Sequence, residues 1–175
     1  NGYSLVRAAL LDAASLRLTA HMDDLGRTLG EELLEPTRIY TQDCLMLCEQ
    51  LGNGIRVFSH ITGGGIAANI ARVLPQDLHA DVDRSSWQPQ PIFDLIARTG
   101  NVSAADMEQT FNLGLGMVAV VAPDVVDQCI NALSTRGVDA WVCGTVRKRG
   151  EDDASDAPAK GGRGGSVQLV GRHSG

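Results

Sequence analysis

Apolar positions recur at helical spacing from the start of the chain. Leu5, Ala9 and Ala13, with Val6 and Leu10 beside them, predict a helix over residues 4–16. A polar stretch follows, and a second helix is predicted over 40–51, ended by Gly52 and Gly54. From residue 55 the period changes to two. Ile55, Val57 and Ile61 fall on one face, with Arg56, Phe58 and His60 on the other, which predicts a strand over 55–61. Thr62-Gly63-Gly64-Gly65 interrupts it. Ile66, Ile70 and Val73 or Leu74 then restore a helical stripe that Pro75 stops. A strand, a glycine loop and a helix are thus expected in direct succession.

Residues 78–82 read as a short strand. Pro91 suits the first position of a helix carrying Ile92, Leu95 and Ile96, with Gly100 ending it. Ser103 with Asp106 resembles a capping box. The strongest strand signal covers 111–121, where Leu113, Leu115, Met117, Ala119 and Val121 alternate with Asn112, Gly114, Gly116, Val118 and Val120. Asp124 is expected to cap a helix that places Val126, Ile130 and Leu133 on one face, ended by Gly137. Residues 141–146 and 167–170 read as the last two strands. Residues 147–166 between them, rich in charge, Gly and Ala, are expected to form a mobile hairpin loop. Strands and helices mix without strict alternation. The expected fold class is therefore α+β, a mixed or antiparallel β-sheet flanked by helices, in one domain over 1–175.

A chain of 175 residues, 43% hydrophobic and 21% charged, can bury a core without staples. Its formal charge of −6 and its lack of a basic stripe argue against nucleic acid as a partner. The longest uncharged apolar run, 113–122, is too short to cross a bilayer, and no signal peptide opens the chain. The four cysteines are Cys44, Cys48, Cys129 and Cys143. Cys44 and Cys48 would share a helix face, but two further ligands at matching spacing are missing, so no metal site is expected. They read as small, buried, non-catalytic residues of a reducing cytoplasm. The chain opens on Asn1 rather than Met and runs at once into a periodic segment, as a fragment of a longer protein would.

The most informative stretch is His60-Ile61-Thr62-Gly63-Gly64-Gly65. Glycines let backbone N–H groups approach a ligand, and a following helix adds unpaired donors and its positive dipole end, which together favour a phosphate or other anion. The Lys-Ser/Thr that closes a Walker A loop is absent. The bland alternative is a tight strand-to-helix turn. His60 could act as a general acid or base, or be a hydrogen-bonded structural residue. Asn112, Gly114 and Gly116 would lie on one strand face, where the glycines admit a close neighbour: a ligand or a packed helix. Asp81 and Asp83, and the run Glu151-Asp152-Asp153, read as solvated carboxylates. No Ser-His-Asp spacing stands out.

Several segments together resemble the C-terminal half of one family, the aminoimidazole ribonucleotide synthetases (phosphoribosylformylglycinamidine cyclo-ligases). Residues 1–7 resemble the opening of that half. Leu33-Leu34-Glu35-Pro36-Thr37-Arg38-Ile39-Tyr40 is similar to its Leu-Leu-x-Pro-Thr-Arg-Ile-Tyr segment. His60 to Gly65 matches its His-Ile-Thr-Gly-Gly-Gly block, followed by Asn69-Ile70 and Arg72-Val73-Leu74-Pro75. Trp87 and Pro91-Ile92-Phe93 fit the next block. Glu108 to Met117 resembles its Glu-Met-x-x-x-Phe-Asn-Met-Gly-Ile-Gly-Met run, with Leu113 and Leu115 replacing other apolars, and Gly144 precedes the final hairpin. The blocks cover residues 1–146. The stretch after Arg147 is longer and more acidic than in the family.

The resemblance implies an ATP- and Mg²⁺-dependent ligase of purine biosynthesis that closes the imidazole ring of formylglycinamidine ribonucleotide. It implies that ATP and Mg²⁺ are held mainly by an N-terminal nucleotide-binding domain absent here. It also implies a full-length cytoplasmic homodimer and a fragment without full activity. On this reading Thr62, Gly63, Gly64 and Gly65 hold the substrate phosphate, His60 is the catalytic candidate, and Asn1, Ser4, Asn112, Gly114 and Gly116 line the cleft. Formylglycinamidine ribonucleotide amidotransferase and other ATP-dependent relatives share the architecture. A stand-alone module that senses a phosphorylated metabolite is the alternative from another class.

Overall fold

A computed structural model describes residues 1–173 of the chain. The first helix, α1 (Tyr3–Val6), continues without a break into a wider π-helical stretch, Arg7–Ala13. A two-stranded ribbon, β1 (His21–Met22) with β2 (Arg27–Thr28), follows and leads into α2 (Leu29–Leu33). Thr28 and Glu31 close a reciprocal capping box at its start, the arrangement that satisfies two orphan N–H groups at once. Next come α3 (Thr41–Leu51) and β3 (Ile55–His60). After the glycine loop come α4 (Gly65–Ala71), β4 (Leu78–Asp83), α5 (Pro91–Gly100) and α6 (Ala104–Thr110). The chain then forms β5 (Met117–Val121), α7 (Val126–Ser134), β6 (Gly144–Lys148) and β7 (Ser166–Val170).

Small antiparallel and mixed sheets with helices packed against them make the fold α+β. β3 and β5 pair antiparallel, with His60 opposite Met117. A second sheet has the order β6-β4-β7, in which β4 runs antiparallel to β6 and parallel to β7. The last two strands therefore do not form a hairpin with each other, contrary to the sequence reading. β4 lies between them. The connection, residues 149–165, crosses about 10 Å of sheet, two strand spacings, from one side of β4 to the other.

The core has two parts. One gathers Ile61, Ile66, Ile70, Leu74, Val82 and Val167 around α4 and the three-stranded sheet. The other gathers Val6, Leu10, Leu29, Leu95, Met107 and Phe111 among the helices. Trp87 and Leu115 belong to the first part, Leu113 to the second.

Four further boundaries differ from the sequence reading. Gly100 is the last residue of α5, and Asn101, at φ 49°, makes the left-handed turn that ends it. Asp124 caps nothing: it lies inside a 3-10 turn, Pro123–Val125, that precedes α7. The strand expected at 141–146 begins at Gly144. The strand expected over 111–121 begins only at Met117. Residues 112–115 form a tight turn closed by the Leu115 N–H on the Asn112 carbonyl at 2.9 Å, with Leu113 at φ 49° and Gly114 at φ 94°. Asn112, Gly114 and Gly116 therefore do not share a strand face.

Candidate functional site

β3 ends at His60, and Ile61 is anchored by its N–H on the Gly116 carbonyl at 3.0 Å. The chain then turns through Thr62–Gly65 into α4. Asn69, fully buried on α4, organises this turn. Its Nδ2 donates to the carbonyls of Thr62 (3.0 Å) and Gly65 (2.7 Å), while its Oδ1 accepts from Thr62 Oγ1 at 3.3 Å. A buried amide costs little when its partners are satisfied, and here it holds the loop carbonyls inward. The amides of Gly63 and Gly64 make no hydrogen bond among the described residues.

The three glycines differ in their reasons. A Cβ built on Gly63 meets nothing within 4 Å. Gly64 has φ +101°, a left-handed conformation that L residues rarely adopt. Gly65 is left-handed too, at φ +74°, and is pressed against the main chain of Glu108 on α6. Tight packing therefore explains Gly65 and strain explains Gly64. Gly63 alone faces open space.

The sequence reading found no lysine for this loop, and the structure supplies one. Lys160, from the 149–165 connection, donates from Nζ to the Gly63 carbonyl at 2.7 Å and to Thr62 Oγ1 at 3.2 Å. A separation of 98 residues hid it from motif spacing. Arg84 is close by. Its guanidinium grips the Glu108 carboxylate through two bonds, at 2.6 and 2.9 Å, and also donates to the Leu169 carbonyl. Arg84, Glu108, Gly64 and Asp156 border a cavity of about 240 Å³.

His60 is exposed, and its ring meets the Tyr40 ring edge-on at 5.8 Å between centroids. Burial pushes the Tyr40 phenol above its ordinary range. A Cβ on Gly116 would lie 1.9 Å from Tyr40 Oη, and one on Gly114 would lie 2.6 Å from Gln90 Oε1. The close neighbours that these glycines admit are therefore side chains of this chain. Both glycines border a larger, mostly apolar cleft of about 710 Å³ between the two sheets, with Tyr40, Phe58, Trp141 and Cys143. Asn112 spends its side-chain oxygen on the Gly114 N–H at 3.0 Å. Asn1 and Ser4 are exposed at the start of α1 and border neither cavity. The structure thus brings His60, Tyr40 and Gly116 together beside the glycine loop, and leaves Asn1 and Ser4 elsewhere.

A Ser-His-Asp set that spacing did not reveal lies across β4. Ser166 Oγ is 2.7 Å from His79 Nδ1, and His79 Nε2 is 3.1 Å from Asp81 Oδ1. Ser166 and His79 are fully buried, so no substrate carbonyl can reach the hydroxyl, and the set ties β4 to β7. Asp81 and Asp83 are also engaged rather than merely solvated, Asp81 with Arg147 and Asp83 with the Ser85 N–H. No group of three or more His, Cys, Asp or Glu residues able to hold a metal occurs among the described residues. No helix among them is long and apolar enough to cross a membrane.

These features define an α+β domain built around a strand, a glycine loop and a short helix. The chain belongs to the family described as AIR synthase related protein, C-terminal domain, which matches residues 1–156. It is 54% identical over 151 residues to a Streptomyces fradiae protein that is provisionally named a phosphoribosylformylglycinamidine cyclo-ligase, covering 86% of this chain and 82% of that one. It is 48% identical over 147 residues to the phosphoribosylformylglycinamidine cyclo-ligase of Anaeromyxobacter sp. (strain Fw109-5), covering 83% of this chain and 42% of that one. With the enzyme of that name from Alkaliphilus oremlandii the identity is 42% over 146 residues, with the same two coverages. The chain thus spans less than half the length of these longer relatives.

Proposed function

We propose that this chain serves as the C-terminal domain of an ATP-dependent phosphoribosylformylglycinamidine cyclo-ligase of purine biosynthesis, and that it forms the substrate wall of the active cleft. The reaction converts formylglycinamidine ribonucleotide to aminoimidazole ribonucleotide. The formyl oxygen is phosphorylated by ATP, an amidine-side nitrogen attacks the activated carbon, and phosphate leaves as the ring closes. Reactions of this kind depend mainly on positioning and on neutralising phosphate charge.

The residues of this chain do not fit Mg²⁺-ATP. The described residues include no carboxylate cluster for the metal, and Lys160, the lysine at the glycine loop, is spent on the Gly63 carbonyl and the Thr62 hydroxyl instead of following the loop on its helix as in a triphosphate cradle. A phosphate monoester asks for less, and the loop at Thr62, Gly63, Gly64 and Gly65 suits it. One observation carries this reading: the loop has amides at Gly63 and Gly64 that make no hydrogen bond among the described residues, and the Lys160 ammonium lies at its edge on the Gly63 carbonyl, while Asn69 holds the Thr62 and Gly65 carbonyls inward. His60, exposed at the end of β3, is the nearest candidate for proton transfer. ATP and Mg²⁺ then belong to the other half of a cytoplasmic, homodimeric enzyme.

Gly63→Ala in the full-length enzyme is the cleanest test. The added methyl meets no atom of this chain within 4 Å, so it introduces no clash of its own. The methyl would occupy the space proposed for the phosphate and hold it off the loop amides, so KM for formylglycinamidine ribonucleotide should rise about tenfold or more, the size of one weakened charge-assisted hydrogen bond, while KM for ATP stays unchanged. A rise in KM for ATP with normal substrate affinity would assign the loop to the nucleotide instead.

A further inference from the structure

The connection between β6 and β7 is built into the fold at several points. At its start, Asp153 accepts two bonds from Arg147, at 2.5 and 2.7 Å, and one from the Gly150 N–H at 2.6 Å. Further on, the Asp156 carboxylate accepts the Leu169 N–H at 2.6 Å, and Ser155 Oγ accepts the Val167 N–H at 3.1 Å. Ala157 and Ala159 pack against the core cluster around α4. The end of the connection runs along α4 itself. The Lys160 N–H donates to the Ala68 carbonyl at 3.0 Å, and the Gly165 N–H donates to the carbonyls of Ala71 and Leu74 at 3.0 and 2.9 Å. Ala68 and Ala71 lie in the last turn of α4, where carbonyls run short of helical partners, and their carbonyls accept these bonds besides the local ones from the Arg72 and Leu74 N–H; Leu74 lies in the turn just beyond the helix. Gly164 passes so close that a Cβ there would lie 2.1 Å from the Ala71 carbonyl oxygen.

We propose that residues 149–165 are a strap rather than a loose loop, and that Lys160 is a positioning residue that the strap delivers to the glycine loop. The strap fixes the Lys160 backbone on the body of α4. From there the side chain reaches back to the start of the helix and ties down the Gly63 carbonyl and the Thr62 hydroxyl. Asn69 holds the loop from beneath and Lys160 from above. A stretch outside the glycine motif thereby sets the conformation of the motif and places a positive charge at its edge.

The proposal concerns loop geometry and stands apart from the identity of the ligand, so its test uses no substrate. Backbone ¹⁵N order parameters are measured in this chain for the wild type, Lys160→Met and Lys160→Arg. In the wild type, Gly63 and Gly64 should show the rigid value of about 0.85. Lys160→Met keeps the aliphatic stem and removes the charge. It should lower Gly63 and Gly64 below about 0.6, with β4 and β7 unchanged. Lys160→Arg should restore most of the order, which a role in packing alone would not require. Values in Lys160→Met equal to the wild type, or equal loosening across β4 and β7, would overturn the proposal. Failure of Lys160→Arg to rescue would overturn the role of the charge. None of these outcomes depends on the Gly63→Ala test of the substrate reading.

Discussion

A Cβ built on Gly65 would lie 1.7 Å from the carbonyl oxygen of Glu108, so the start of α4 and the end of α6 touch backbone to backbone. Gly65→Ala must push the helices apart and also hold a left-handed φ. It should destabilise the domain by about 2–4 kcal/mol, the sum of an overpacking term and a backbone-strain term. Denaturant unfolding followed by circular dichroism measures this. A change under about 0.5 kcal/mol, within the range of neutral surface substitutions, would show that the helices separate freely.

Ser166→Ala removes the partner of a fully buried imidazole nitrogen. The expected loss is about 1–3 kcal/mol, the penalty for leaving a buried polar group unpaired. Because the hydroxyl is sealed, a fluorophosphonate that labels accessible serine nucleophiles should leave Ser166 unmodified in the folded protein. Labelling at Ser166, detected by mass spectrometry, would contradict a purely structural role.

The Arg147 guanidinium and the Gly150 N–H hold the Asp153 carboxyl well below the usual carboxylate range. A depressed folded value gives stability that is fully present above the unfolded value, about 3.9, and is lost as pH falls through the folded one. The start of the strap should therefore keep its geometry from pH 8 down to about pH 4 and loosen only below that. The Gly150 amide shift reports it directly, since that N–H bonds the carboxylate. A titration of this amide at or above pH 3.9 would mean that the ion pair does not form in solution. Asp153→Asn keeps an acceptor oxygen but cannot titrate, so it should abolish the pH dependence of this amide shift.

Burial pushes the thiols of Cys44, Cys129 and Cys143 above their ordinary range, which lowers the thiolate fraction at neutral pH. Cys48 is exposed. Iodoacetamide at pH 7.5 should modify Cys48 first, and the other three slowly. Replacing all four with Ala or Ser should leave turnover of the full-length enzyme intact wherever the protein stays folded. Loss of turnover at unchanged melting temperature would make one of them functional.

The sequence reading placed α3, β3, α4, β4 and α5 well because each carries one clear period and a recognisable stop. It failed at 111–116 for a physical reason. Leu113 and Leu115 are both buried, as alternation demands, but a turn buries them toward different clusters, and a left-handed leucine gives no compositional sign. The connection after β6 was misjudged as a hairpin because pairing partners are not written in local pattern. Among its glycines, Gly164 passes close to an α4 carbonyl, which local pattern does not show. Of the candidate site, the glycine loop and His60 were legible as a motif. Asn69 was seen only as part of a resemblance, and Lys160, Arg84 and the buried His79 set needed three dimensions.

The two core clusters meet along a line marked by Gly65 against Glu108, by the Trp87 indole N–H on the Leu113 carbonyl at 3.0 Å, and by the 112–115 turn. The buried residues fall into two separate clusters, so the domain has the makings of two cooperative folding units joined at a seam, which the Arg84–Glu108 ion pair also crosses. Parting them would expose the glycine loop and the cleft beside it without melting either half. Native-state hydrogen exchange should then resolve two classes of protected amide, one following Val6, Leu95 and Met107 and the other Ile70, Val82 and Val167. A single class with one opening energy would mean that the seam is as strong as the cores it joins.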